Sequence, residues 1–290
     1  MHAIHQPVLL AEVLQELVPA PGQTVIDATV GYAGHAVALW AAIAPGGRLL
    51  GVDQDPTALE HARQRLPDEV ELRRGNFRDL ARIAAEAGFV PADLLLADLG
   101  VSSAQIDRPE RGFSFRSDGP LDMRMDPDQP LSAYEVVNAW EEEELVRILR
   151  EYGEERFARR IAHRICARRP IRTTAELKAV VASAVADKRS AGHPARRTFQ
   201  AVRIAVNDEL GALRALLDVA PQVVRPGGRV AVISFHSLED RIVKRRFLEP
   251  PYRALTRKPL QAGAAEQERN PRARSAKLRV ATVLPSEGES

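Results

Sequence analysis

Along the chain, short continuous apolar runs alternate with stretches in which apolar residues recur at helical spacing. Val25-Ile26, Leu49-Leu50, Leu94-Leu95-Leu96-Ala97 and Val230-Ala231-Val232-Ile233 are runs of the kind found in a parallel sheet covered on both faces. The pattern predicts strands at residues 24–27, 48–53, 70–74, 92–98 and 229–234. Helices are predicted at 7–17 and 36–44, from Pro56, up to Gly88, and at 241–247. Pro45-Gly46-Gly47 and Pro226-Gly227-Gly228 mark the turns that return the chain to the sheet. A last strand at 278–284 closes the sheet on an antiparallel edge. Together these elements form an α/β fold, a doubly wound Rossmann-like sheet.

After the fourth strand the alternation stops for about a hundred residues. Residues 108–130 are rich in Gly, Pro, Asp and Arg, and an amphipathic helix is expected at 139–152, with Glu141 to Glu144 complementing its dipole. A basic helix follows at 154–168, and Thr173-Thr174-Ala175-Glu176 forms a capping box that opens another, through about Asp187. Residues 198–220 read as one long helix leading back to the sheet. The expected organisation is a core in two parts, 1–106 and 198–290, with an all-helical insert at 107–197. The basic stretch 253–277 reads as irregular.

Composition narrows the class. The chain has 290 residues, 45% of them hydrophobic, enough for a large core. One cysteine, Cys166, excludes an internal disulfide and a thiolate-rich zinc site, and the histidines are too scattered to suggest a metal. No apolar run approaches the ~20 residues that span a bilayer, and residues 1–7 lack a leader pattern, so a cytoplasmic protein with no membrane role is expected. The net charge of +2 hides a partition: residues 1–146 carry −13, residues 147–203 carry +10 and residues 241–279 carry +9. Two basic blocks on an acidic core read either as segments that meet a polyanionic partner or as solvated helix faces.

The candidate chemistry sits at strand ends. The first strand ends in Asp27 and runs through Gly31 and Gly34 into a helix, and Asp53 follows Gly31 by 22 positions, the spacing of a carboxylate that accepts ribose hydroxyls. Asp55 suits the cap of the helix at Pro56 better than Asp53 does. Phe77 reads either as a core residue or as an aromatic covering a purine. A nicotinamide site would show a tighter glycine fingerprint, whereas the looser loop and the acidic core suit a sulfonium cofactor.

Several motifs, spread in order over nearly the whole chain, carry a resemblance: His5-Gln6-Pro7-Val8-Leu9-Leu10, Asp98-Leu99-Gly100-Val101-Ser102-Ser103, Arg111-Gly112-Phe113-Ser114-Phe115, Asp118-Gly119-Pro120-Leu121-Asp122-Met123-Arg124-Met125, Tyr152-Gly153-Glu154-Glu155-Arg156-Phe157, Arg197-Thr198-Phe199-Gln200-Ala201-Val202-Arg203, Ser234-Phe235-His236-Ser237-Leu238-Glu239-Asp240-Arg241-Ile242-Val243-Lys244 and Asn270-Pro271-Arg272-Ala273-Arg274-Ser275. The chain resembles the bacterial 16S ribosomal RNA cytosine-N4 methyltransferases, the RsmH or MraW family. The resemblance implies S-adenosyl-L-methionine bound by Ala33, Gly34, His35, Asp53, Phe77, Asp98 and Gln105, and methyl transfer to the exocyclic N4 of a cytidine in the decoding region of 16S rRNA, within the small ribosomal subunit.

Asp98 is the candidate proton acceptor at N4, and His236, at the end of the fifth strand, is a second catalytic candidate that could equally cap a helix. Phe113 and Phe115 are candidates for stacking on an extruded base, or for packing the insert. Arg196, Arg197, Lys244, Arg245, Arg246, Arg272 and Arg274 are phosphate-contact candidates. Ala33 stands where the family has a glycine. Alanine tolerates positive φ poorly, so either this position is not left-handed or the loop shifts. The competing classes are a non-catalytic ribosome-assembly RNA-binding protein with the same fold and a DNA amino-methyltransferase.

Overall fold

The computed structural model describes residues 7–185 and 193–285. The His5-Gln6 half of the first motif and the expected helix end at Asp187 lie outside them. The chain divides into two units, one built from the described residues of Met1–Gly100 and Leu210–Ser290, the other from those of Val101–Glu209.

The first unit opens with helix α1 (Leu10–Leu17), followed by β1 (Thr24–Asp27), α2 (Gly34–Ile43), β2 (Arg48–Asp53), α3 (Pro56–Arg63), β3 (Glu71–Arg74), α4 (Leu80–Glu86) and β4 (Ala92–Asp98). The second unit holds α5 (Ser103–Asp107), α6 (Ala133–Ala139), α7 (Glu142–Glu151), α8 (Ala158–Ala167), α9 (Thr174–Ala184) and α10 (Ala195–Asn207). The chain then returns to the first unit with α11 (Glu209–Val223), β5 (Val224–Ser234), α12 (Ser237–Arg246), β6 (Tyr252–Ala254), α13 (Ala264–Arg269) and β7 (Lys277–Val283).

The strands form one sheet in the order β3-β2-β1-β4-β5-β7-β6. The first five are parallel, and β7 runs antiparallel between β5 and β6. Alternate residues of β4 explain its unbroken hydrophobic run. Leu95 and Ala97 join a core with α4, α11 and α12, while Leu94 and Leu96 join a core on the opposite face with α1, α2 and α3. Because β2 and β3 lie to one side of β1 and β4 and β5 to the other, the carboxyl ends of β1 and β4 flank the topological switch point, where α/β sheets bind ligands.

Two expectations change. The predicted long helix at 198–220 is two helices, because Asp208 turns left-handed at φ 45° between α10 and α11. The buried Asn207 beside it takes the Met125 amide and donates to the Met123 carbonyl, both at 2.8 Å, so this helix end is committed to a loop far away in sequence. The helix expected at 139–152 forms as α7, and the unpredicted α6 precedes it, with its own capping box from Ser132 and Glu135. The stretch 253–277 is not wholly irregular, since it shares β6 and contains α13. A three-residue edge strand is too short for a periodic sequence signal.

The second unit packs around its own apolar cluster, including Phe113, Met123, Ile148, Ile161, Leu177 and Val202. The Thr173 capping box forms as read, with Glu176 at its third helical position.

Candidate cofactor site at the strand ends

Beyond β1 the chain leaves the sheet through a loop held on both sides. The Ala28 amide donates to Leu96 O at 2.8 Å, the Val30 amide to Val52 O at 2.9 Å and the Gly31 amide to Asp53 Oδ2 at 2.9 Å. Gly31 has φ 50°, and a side chain at Gly34 would press on Pro7 at 3.1 Å. Ala33, fully buried as the cap of α2, has φ 61° and ψ 26°. Of the two alternatives for Ala33, the one in which the position is not left-handed is therefore excluded. The strain, about 1–2 kcal/mol for a residue with a Cβ, is held by packing in the core formed with α1 and α2.

Asp53 is a hub for this loop. Its Oδ2 accepts from Gly31 and its Oδ1 from the Asp55 amide at 2.9 Å, while Asp55 caps α3 through the Thr57 amide at 3.0 Å. Asp27, 1% exposed, accepts from the Thr29 amide, and the Asp98 amide donates to Thr29 Oγ1 at 2.6 Å. Three carboxylates thus converge on one edge of the sheet. Burial raises all three above the ordinary carboxylate range, Asp27 and Asp98 to about 7 and Asp53 to about 6. The Asp98 and Asp53 charges push Asp27 further up, while His35 pulls it down. Arg272 pulls Asp98 down and Glu239 pushes it up.

Asp98 is the member with spare capacity. Its side chain is 25% exposed, yet Oδ1 is buried with no hydrogen-bond partner among the described residues. A buried carboxylate oxygen left open is costly, and it marks where a donor from a ligand belongs. His35 faces the same group from α2, with Nδ1 3.6 Å from Asp98 Oδ2 and Nε2 2.9 Å from Val8 O. Burial lowers the His35 pKa. Three buried acids with glycine-loop backbone beside them suit a cationic nucleoside-type ligand.

His236, at the end of β5, caps α12. Its Nδ1 accepts from the Glu239 amide at 3.5 Å, and Nε2 lies 3.2 Å from Glu239 Oε1. Glu239, 2% exposed, takes the Phe235 and His236 amides on its other oxygen at 2.8 and 3.2 Å. The histidine is thus bound into a capping box, the second of its two sequence readings. Phe77 starts a 3-10 turn after β3 and is half-buried, packed on the core beside α4.

In the second unit, Gln105 is 7% exposed and closes a capping box with Ser102, its Oε1 taking the Ser102 amide at 3.0 Å. Phe113 is buried in that unit's cluster. Phe115 stacks on His193 at 5.0 Å and meets Phe199 edge-on at 5.6 Å. Of the cationic candidates, Arg196, Arg197, Lys244, Arg245 and Arg274 are exposed. Arg246 pairs with Asp218 at 3.2 Å and covers the Tyr252 ring, and Arg272 is half-buried and acts on Asp98. Sequence reading left Asp27 and Glu239 out of the candidate set. An acid closing each of three strands was the signal for the first, and a Glu three residues beyond a helix cap was the signal for the second.

The model of the MraW methylase family matches residues 2–284. A protein of Symbiobacterium thermophilum named ribosomal RNA small subunit methyltransferase H is 50% identical, over 99% of this chain and 98% of its own. One of the same name in Deinococcus deserti is 51% identical, over 96% and 93%. Among solved structures, the chain is similar to fibrillarin of Aeropyrum pernix, at 12% identity and a TM-score of 0.42, over 94% of this chain and 74% of that one.

Proposed function

The chain belongs to the MraW methylase family, and on that premise we propose that it transfers a methyl group from S-adenosyl-L-methionine to the exocyclic N4 of a cytidine in the decoding region of 16S rRNA, in the cytoplasm. The observation that carries this reading is the open Oδ1 of Asp98 at the switch point of the sheet. When bound, the cofactor supplies an electrophilic sulfonium methyl group. The residues that would hold it are Ala33, Gly34 and His35 through the loop and the start of α2, Asp53 at the end of β2, Phe77 and Gln105, with Asp27 and Asp98 adding negative charge toward a cation.

The amino nitrogen of cytosine is a poor nucleophile, because its lone pair is delocalised into the ring. Asp98 answers that need: its open oxygen accepts an amino hydrogen, which lets the nitrogen pyramidalise, and takes the proton as the new bond forms. His35 faces Asp98 across 3.6 Å, and Arg272 biases the carboxyl toward its ionised form. His236 acts through Glu239 as a positioning residue at the start of α12. The exposed cations Arg196, Arg197, Lys244, Arg245 and Arg274 serve the RNA phosphates, since Arg246 and Arg272 have protein partners and Phe113 and Phe115 are packed.

The test is labelled-methyl transfer from S-adenosylmethionine to small-subunit particles, with nucleoside identification. N4-methylated cytidine is the expected product. Label on duplex DNA and none on the particles would overturn the reading. A failure to bind the cofactor in calorimetry would favour a non-catalytic assembly protein.

A further inference from the structure

At the far end of α12 from His236, roughly 15 Å along a ten-residue helix, the first unit carries a hollow of about 350 Å³. Phe247, Leu248, Tyr252 and Ala254 form its apolar side, and Lys244, Arg253, Arg257 and Arg279 its cationic side. The aromatic pair is rigid: the rings lie 5.1 Å apart, and Tyr252 Oη donates to Leu217 O at 2.6 Å. Leu248, 68% exposed, stands at the rim of the hollow.

The charges divide into two sets. Arg279 is buried and paired with Asp240 at 2.6 Å. Lys244, Arg253 and Arg257 are exposed and make no ion pair among the described residues. They belong to the stretch 241–279, which carries +9. A pocket with an apolar wall and three free cations matches one unstacked nucleotide, whose base or ribose is apolar on its face and whose flanking phosphates are anionic. An acidic peptide is a poorer match. The edge strand here, Tyr252–Ala254, has only three residues, with Arg253 at its centre, too short to template a partner strand.

We propose that this hollow is a second RNA-contact site, separate from the methyl-transfer centre, that takes one unstacked nucleotide of a single-stranded segment. The base or ribose lies against Leu248, Ala254 and the Phe247–Tyr252 pair, and the phosphates lie against Lys244, Arg253 and Arg257. The inference rests on the RNA reading for the class of its ligand. It explains why cations cluster on this sheet edge, where no step of methyl transfer needs them.

The experiment is fluorescence anisotropy with a labelled single-stranded oligonucleotide of small-subunit RNA, across a sodium chloride series, on the wild-type chain and on Arg253→Glu/Arg257→Glu. Both arginines are exposed, and melting temperature and cofactor affinity by calorimetry serve as folding controls. The double variant should bind about 10–100-fold more weakly at ~0.1 M salt, with a salt slope shallower by about 1.4, two single-strand phosphate contacts at ~0.7 each. Leu248→Ala should lower affinity a few-fold without changing the slope. Unchanged affinity and slope in the double variant would overturn the proposal. A duplex competitor as sensitive to the variant as the single strand would overturn the single-strand assignment. If wild-type protein methylates no small-subunit particle while the anisotropy result holds, the proposed function fails and this site stands. If methylation is robust and the slope is unmoved, this site alone fails.

Discussion

His35 divides its two ring nitrogens between Val8 and Asp98: Nε2 donates to the Val8 carbonyl at 2.9 Å, and Nδ1 faces Asp98 Oδ2 at 3.6 Å. A carbonyl can only accept, so Nε2 carries the hydrogen and a neutral ring presents a bare Nδ1 to the carboxylate. Burial lowers the His35 pKa and raises that of Asp98, so the aspartate is the more basic of the two in the free protein.

A base at N4 must be ionised, so turnover should fall on the acid side, with a midpoint at or below about 7. Asp98→Asn should lower kcat by about 10²–10⁴-fold, shift cofactor affinity by less than about tenfold, and abolish the acid limb of the pH profile. Stopped-flow turnover and calorimetry separate the two quantities. Parallel losses in kcat and affinity would reduce Asp98 to a binding residue.

Cofactor binding should release protons near neutral pH. Asp27 and Asp98 stand at about 7 and Asp53 at about 6, so each is partly protonated there. A sulfonium cation favours the ionised forms and lowers these values. Calorimetry in buffers of different ionisation enthalpy reads the count. S-adenosylmethionine should release more protons at pH 7 than the uncharged thioether product, and equal release would show that the carboxylates do not sense the sulfonium.

Asp27 costs the free protein stability at alkaline pH. Its folded pKa, about 7, lies above the unfolded value of about 3.9, so the folded state holds the extra proton between those values. That contribution is fully present below about 4 and is lost as pH rises through 7. Asp27→Asn, which keeps an acceptor for the Thr29 amide, should raise Tm at pH 8 by at least roughly 2–4 °C, on the order of 1 kcal/mol or more, and by clearly less at pH 5. Differential scanning calorimetry at the two pH values tests it, and a loss at pH 8 would mean that ionised Asp27 is stabilised by groups other than those named.

Ala33 carries two opposing effects. Glycine there would relieve left-handed strain of about 1–2 kcal/mol, but it would lose a buried methyl worth ~0.8 kcal/mol and add chain entropy worth ~0.5–1 kcal/mol. Ala33→Gly should therefore move Tm by less than about 3 °C. Ala33→Val, β-branched at φ 61° in a closed core, should lower stability by about 2 kcal/mol or more and weaken cofactor binding. Thermal unfolding of both variants decides; a valine variant as stable as wild type would show that the loop relaxes freely.

The parallel strands were legible because both faces of the sheet are covered. Leu94 to Ala97 must all be apolar when alternate side chains enter different cores, and that requirement is written in one dimension. Asp53 and Asp98 were legible as strand-end acids for the same reason, since a strand's end is marked by where its apolar run stops. Other features depend on contacts between residues far apart in sequence. The break at Asp208 accompanies the bonds of Asn207 to the Met123–Met125 loop, 82 and 84 positions away. The left-handed Ala33 is held by neighbours that local preference cannot see, and the tautomer of His35 by Val8, 27 residues earlier. Local propensity and periodicity are properties of neighbouring residues, so the sequence by itself determined the parallel strands, their succession along the chain and the acids at their ends. Burial and long-range hydrogen bonds exist only once the chain has closed on itself, so tertiary structure alone decided how far each acid's pKa rises and which oxygen is left open.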